Sequence, residues 1–130
     1  MEYYFSATMN ASFDEAVART VEALKMEGFG VISEINMHDK LKEKLNVDFK
    51  KYRILGACNP ALAYEALKAE DKIGTMLPCN VLVIEQASGE IEVAAVNPIA
   101  SMQAIENPGL AGTAGLVTGK LQKVIELLKS

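Results

Sequence analysis

The residues predict an α+β fold in which about five strands form a mainly antiparallel sheet, with the helices packed on one of its faces. The first observation is order. Strand-favouring and helix-periodic segments follow one another as β-α-β-α-β-α-β-β-α, a pattern that suits one sheet backed by helices. The second is a hairpin signal: two apolar stretches, 80–85 and 91–96, are joined by a polar link with Gly89 at its bend. The third is capacity. A chain of 130 residues, 50% hydrophobic and 23% charged, buries roughly two-thirds of its unfolded surface on folding and needs no metal or disulfide framework to hold a core. No internal repeat or linker divides it, so a single domain over 1–130 is expected.

Each element has its own signature. Residues 2–8 are aromatic and β-favouring, and Ser12-Phe13-Asp14-Glu15 follows as a capping box. Phe13, Ala16, Val17, Thr20 and Leu24 then recur at helical spacing, and Gly28 is placed to end the helix. Residues 29–35 read as the second strand. Asn36 stands where it can cap a short helix with Met37, Leu41 and Leu45 along one side. Residues 52–57 form a third strand running into Cys58-Asn59-Pro60, where Asn59 suits an N-cap and Pro60 a first helical position, so a helix is expected over 61–69. The hairpin strands end at Asn97-Pro98. Helical patches and glycines alternate through 98–115, and an amphipathic helix over 116–128 closes the chain, with Val117, Leu121, Val124, Ile125 and Leu128 on one face.

Charge and punctuation exclude several classes. Thirteen basic residues stand against seventeen acidic ones, for a net charge of −4, and the densest basic cluster is only Lys50, Lys51 and Arg53. A nucleic-acid surface needs a basic stripe that displaces counterions from phosphates, and none is visible. Residues 1–10 lack the pattern of a signal peptide, and no apolar run approaches the roughly 20 residues that span a bilayer. A cytoplasmic protein with no membrane partner is therefore expected, its two cysteines free thiols. Gly115 to Lys120 falls short of a P-loop, since Ala114 replaces the first glycine and Leu121 the hydroxyl residue after the lysine. Gly109, Gly112, Gly115 and Gly119 read instead as a loose helix entry or a face of close backbone approach. Glu65, Glu70 and Asp71 read as a solvated face, and the scattered methionines as core.

Two Cys-Asn turns remain, Cys58-Asn59-Pro60 and Pro78-Cys79-Asn80. The segment Tyr52-Arg53-Ile54-Leu55-Gly56-Ala57-Cys58-Asn59-Pro60, followed by Leu77-Pro78-Cys79-Asn80-Val81, resembles the signature of the domain of unknown function 302 family. Leu41-Lys42-Glu43-Lys44-Leu45 and Val47-Asp48-Phe49 are similar to it as well. The resemblance spans nearly the whole chain. It implies a fold of the TATA-binding-protein-like class, with a curved antiparallel sheet, and a homodimer; the family carries no assigned activity.

The candidate site is therefore Cys58, Asn59, Pro60, Pro78, Cys79 and Asn80, with Asn97 at the hairpin's end as a further amide. Three readings stand beside one another. The turns hold a small-molecule ligand or a metal; Cys58, at a helix start that favours the thiolate, is a nucleophile or redox thiol; or both cysteines are small buried hydrophobes and the asparagines are caps. A zinc site needs three or four ligands, and Cys58, Cys79 and the sole histidine, His38, have no metal-binding spacing, so no metal ligand is assigned. Two cysteines from each of two subunits are the remaining route to a four-thiolate site. No motif specifies a cofactor. The leading expectation is a homodimeric, non-catalytic binding protein, with a thiol enzyme and a purely structural module as rivals.

Overall fold

The computed structural model describes residues 1–129. Five strands, β1 (Tyr4–Met9), β2 (Gly30–Asn36), β3 (Tyr52–Cys58), β4 (Cys79–Glu85) and β5 (Ile91–Val96), form one antiparallel sheet in the order β1-β5-β4-β3-β2. The α+β class and the five strands are those the residues predict.

Strand alternation sorts the side chains onto two faces. Ala7 lies opposite Val93, Val93 opposite Val83, Val81 opposite Leu55, and Ala57 opposite Cys79, so these residues share one face. All of them are buried. Helix α1 (Phe13–Met26) and helix α5 (Ala111–Leu128) cover that face with Phe13, Ala16, Leu24, Leu121, Val124 and Ile125, in one continuous core. The opposite face, which carries Tyr52, Ile54, Leu82, Ile84 and Ala94, has no helix over it.

The ends of α1 follow the capping logic. Ser12 Oγ accepts from the Glu15 amide at 3.1 Å, while the hydroxyl itself donates to the Glu15 carboxylate at 3.3 Å; the glutamate meets the Ser12 side chain and not its backbone. Gly28 takes a φ of +84°, and the Phe29 amide returns to the Leu24 carbonyl at 2.9 Å, closing the helix as glycine in the left-handed region permits. Helix α2 (Met37–Leu45) starts differently. The Asn36 side chain does not cap it but accepts from Arg53 Nε at 2.7 Å across the β2–β3 pair. His38 takes over the tethering: its Nδ1 lies 2.9 Å from the Tyr52 amide and 3.2 Å from the Tyr52 carbonyl, so either neutral tautomer bonds to the Tyr52 backbone.

The segment from 98 to 115 is more regular than its glycines suggest. Helix α4 (Pro98–Ser101), where α3 is the intervening helix Pro60–Ala69, is followed by a short 3₁₀ turn at Pro108–Leu110, and α5 begins at Ala111, five residues before the apolar periodicity becomes readable at Leu116. Gly112, Gly115 and Gly119 lie inside α5, and a Cβ placed on any of them meets nothing within 4 Å. These three therefore mark neither a loose entry nor a close approach, but a weakly helical side; among the glycines of this stretch only Gly109, in the turn before α5, is closely approached, since a Cβ there would lie 3.1 Å from Asn107 Oδ1.

Two substitutions test this account by chemical denaturation. Gly115→Ala adds a methyl in open space within a helix and is expected to raise stability by about 0.5–1 kcal/mol. Gly56→Ala goes the other way. A Cβ there overlaps the Ser33 hydroxyl and sits 2.7 Å from Pro78 Cγ, so a loss of roughly 1–3 kcal/mol is expected; an unchanged midpoint would show that Pro78 is not pressed onto β3.

Candidate functional site

The two Cys-Asn turns lie side by side because of register. Ala57 on β3 pairs with Cys79 on β4, so Cys58 is one step past the start of β4, and both turns fall at the same end of these neighbouring strands. Beyond Cys58, Asn59 closes the first turn of helix α3. Its Oδ1 accepts from the Leu62 amide at 3.3 Å, and Pro60 occupies the first helical position, as the Asn-Pro pair predicts. The Asn59 Nδ2 points the other way, toward the Glu27 carbonyl at 3.5 Å, at the end of α1. One amide thus joins the end of one helix to the start of another.

From α3 the chain passes through a 3₁₀ helix (Asp71–Met76) and a cis Leu77-Pro78 peptide into β4. This detour leaves room between α3, the strand ends and the first half of α5. The result is a pocket of about 310 Å³. Cys58 and Cys79 both line it, with Leu62, Ala63 and Leu67 from α3 and Val117 from α5. Its floor adjoins a small second core of Ala66, Ile73 and Leu110. The walls are almost wholly carbon and sulfur, with Asn59 turning its oxygen and one amide N–H to backbone partners.

The candidate residues divide accordingly. Cys58, Asn59, Pro78 and Cys79 line the one pocket. Pro60 flanks it as the exposed start of α3. Asn80 pairs with Gly56 and lines a separate hollow on the uncovered sheet face. Asn97 is buried and fully engaged: its Nδ2 donates to the Glu2 carbonyl at 2.9 Å and its Oδ1 accepts from the Ile99 amide at 3.2 Å, which ties the amino terminus to α4. The three asparagine amides do not converge on one ligand. His38, bonded to Tyr52 at the far end of β3, lies six residues from Cys58 along an extended strand, about 20 Å away. Among the described residues no group of three or more His, Cys, Asp or Glu could hold a metal ion.

Both cysteines are free thiols. Burial, together with the neighbouring Cys58, pushes the Cys79 thiol up to about 11 from an ordinary 9.0. Cys79 therefore stays protonated at neutral pH and presents a weakly polar S–H to the pocket, not a thiolate nucleophile. Of the remaining lining residues, Leu62, Ala63, Ala66 and Leu67 occur in a legible helix, but their pocket role carried no signal. Small and apolar residues in α3 read only as core, as does Val117 on the apolar face of the last helix, and Met102 and Thr113 arrive from the stretch whose course the sequence left open.

Comparison with known proteins agrees with the architecture. The domain of unknown function DUF302 family matches residues 5–128. A crystal structure of an uncharacterized conserved protein DUF302 from Bacillus stearothermophilus superposes with a TM-score of 0.91 at 26% identity, over 99% of this chain and 100% of that one. No curated protein matches the chain.

The raised Cys79 value gives a stability signature with a definite sign. The unfolded thiol ionises near 9.0 and the folded one near 11, so its contribution is intact below pH 9 and is lost as pH rises toward 11. Urea unfolding from pH 8 to 11 should show the wild type losing about 2 kcal/mol more than Cys79→Ala. Parallel curves would mean that the thiol ionises freely in the folded state.

Proposed function

The chain belongs to the DUF302 family, and we propose that this member is a non-catalytic binding protein whose ligand is a small, largely apolar molecule held between α3, α5 and the two Cys-Asn turns. One observation carries the reading: a pocket of about 310 Å³, of the size that small-molecule sites begin at, is walled by hydrocarbon and two thiols. Apart from the second N–H and lone pair of Asn59 and the Thr113 hydroxyl, the walls offer a polar ligand no side-chain partner, and each of its groups left unpaired costs roughly 1–3 kcal/mol. The thiols favour soft, polarisable ligand atoms over charged ones. A reducing cytoplasm, where we place the protein, keeps both thiols available.

The rival thiol-enzyme reading rests on Cys58 alone, since Cys79 is held protonated. No acid, base or histidine lines the pocket to serve it: its walls are Cys58, Cys79, Asn59, Thr113 and apolar residues. That arrangement favours binding over turnover.

Titration with the apolar fluorophore N-phenyl-1-naphthylamine tests the reading. Wild-type protein should bind it with saturable fluorescence gain. Ala63→Trp, which projects an indole into the pocket from a half-buried helical position, should weaken binding at least tenfold with its denaturation midpoint retained. Equal binding by a folded Ala63→Trp variant would remove the pocket as the site.

A further inference from the structure

The uncovered face of the sheet carries a second hollow, of about 390 Å³, which the thiol-lined pocket and its ligand leave unexplained. Register lays out its walls. Tyr52 on β3, Ile84 on β4 and Glu92 on β5 stand in one cross-strand row, and Leu82 and Ala94 form the next. Two rows from Glu92, roughly 13 Å along β5, Val96 faces Tyr4 on β1, with Asn80 on its β4 side. The rings of Tyr3 and Tyr4 meet edge-on at 5.0 Å and make that end aromatic. Between the two ends lies an apolar floor. Ile84 and Ala94 are buried there although no helix lies over them, so the hollow is a walled trough and not a flat face.

We propose that this trough is a second binding site, for a small organic ammonium ion with an apolar body. Charge supplies the first reason. Among the described residues lining the trough, Glu92 alone is charged. Gln86 Nε2 donates to its Oε1 at 2.8 Å, while Lys50 donates to the oxygen of the same amide at 2.9 Å and forms no salt bridge with the carboxylate. The carboxylate is thus fixed without being neutralised, and it repels an anion, as does a chain of net charge −4. Aromatic rings supply the second. Three tyrosines line the trough, and a cation is drawn to the face of such a ring, more strongly where hydrocarbon excludes water. The floor supplies the third. Leu82, Ile84 and Ala94 suit the hydrocarbon of an organic ion, whereas a metal ion would find a single carboxylate, far short of the oxygen cage that hard cations require. Asn80, exposed at the far end, offers its amide to a polar substituent on the ligand.

The trough shares no lining residue with the Cys58–Cys79 pocket, so the two readings can fail separately. Titration of the full chain with benzyltrimethylammonium, followed by NMR, should give saturable shifts at Asn80, Leu82 and Glu92 at millimolar concentrations, without displacing naphthylamine. Benzenesulfonate, similar in size and opposite in charge, should leave those signals unmoved. Glu92→Gln keeps an acceptor for Gln86 and removes the charge, and should weaken binding of the cation roughly tenfold with circular dichroism unchanged. Tyr52→Leu should weaken it as well, and Ala63→Trp should leave it intact. The proposal is overturned by the absence of saturable shifts at these residues, by benzenesulfonate binding equally, by shifts confined to the thiol pocket, or by a folded Glu92→Gln variant that binds as tightly as the wild type.

Discussion

A sheet has two faces, and this chain has helices enough for one. That constraint organises the rest of the molecule. Helices α1 and α5 are committed to the face carrying Ala7, Val81, Val83 and Val93, where the largest fully buried side chains gather. Burial of such side chains contributes about 1.5–3 kcal/mol each and is the main source of stability. Helix α3 cannot join them over the sheet centre. It leans off the strand ends, and the gap beneath it becomes the thiol-lined pocket. The uncovered face is the other consequence of the same shortage.

Asn59 shows how little polar chemistry the pocket requires. One side chain starts α3 through Oδ1 and reaches the end of α1 through Nδ2, and Gly28 makes room for it, since a Cβ on Gly28 would lie 3.0 Å from that nitrogen. The Cys-Asn pairing in the sequence is thus two separate devices that happen to adjoin. The asparagine fixes backbone, and the cysteine, one residue earlier on the strand, faces the cavity. In the second pair the same spelling leads elsewhere: Cys79 is buried at the pocket, while Asn80, by strand alternation, turns to the opposite face.

What was legible in the residues follows from the range of the forces involved. Local signals such as Ser12 and Glu15, Gly28, Asn59-Pro60 and Gly89 act within a turn, and each marks a real boundary or bend. The hairpin and the five strands were readable for the same reason. The pocket was only half readable. The turns drew attention to Cys58 and Cys79, but their convergence depends on the pairing of Ala57 with Cys79, a contact between residues distant in sequence. Asn36 and His38 illustrate the remainder. Asn36 has the composition of a cap and is diverted to Arg53 by its cross-strand neighbour, while the tether falls to the histidine. Tertiary partners, absent from any local window, decided both.

The strand order also shapes how the chain comes together in time. β2, β3, β4 and β5 neighbour one another in the order they occur, so that four-strand meander closes through comparatively short loops. β1 has no such neighbour: Ala7 pairs with Val93 across most of the chain. Loop-closure entropy makes this the costliest contact to form, and α1, which follows β1 directly, is carried with it. On a ribosome the first strand made must wait for the last, its apolar side chains unpaired until β5 has emerged. The amino-terminal strand and helix therefore form the segment most exposed to capture by chaperones during synthesis.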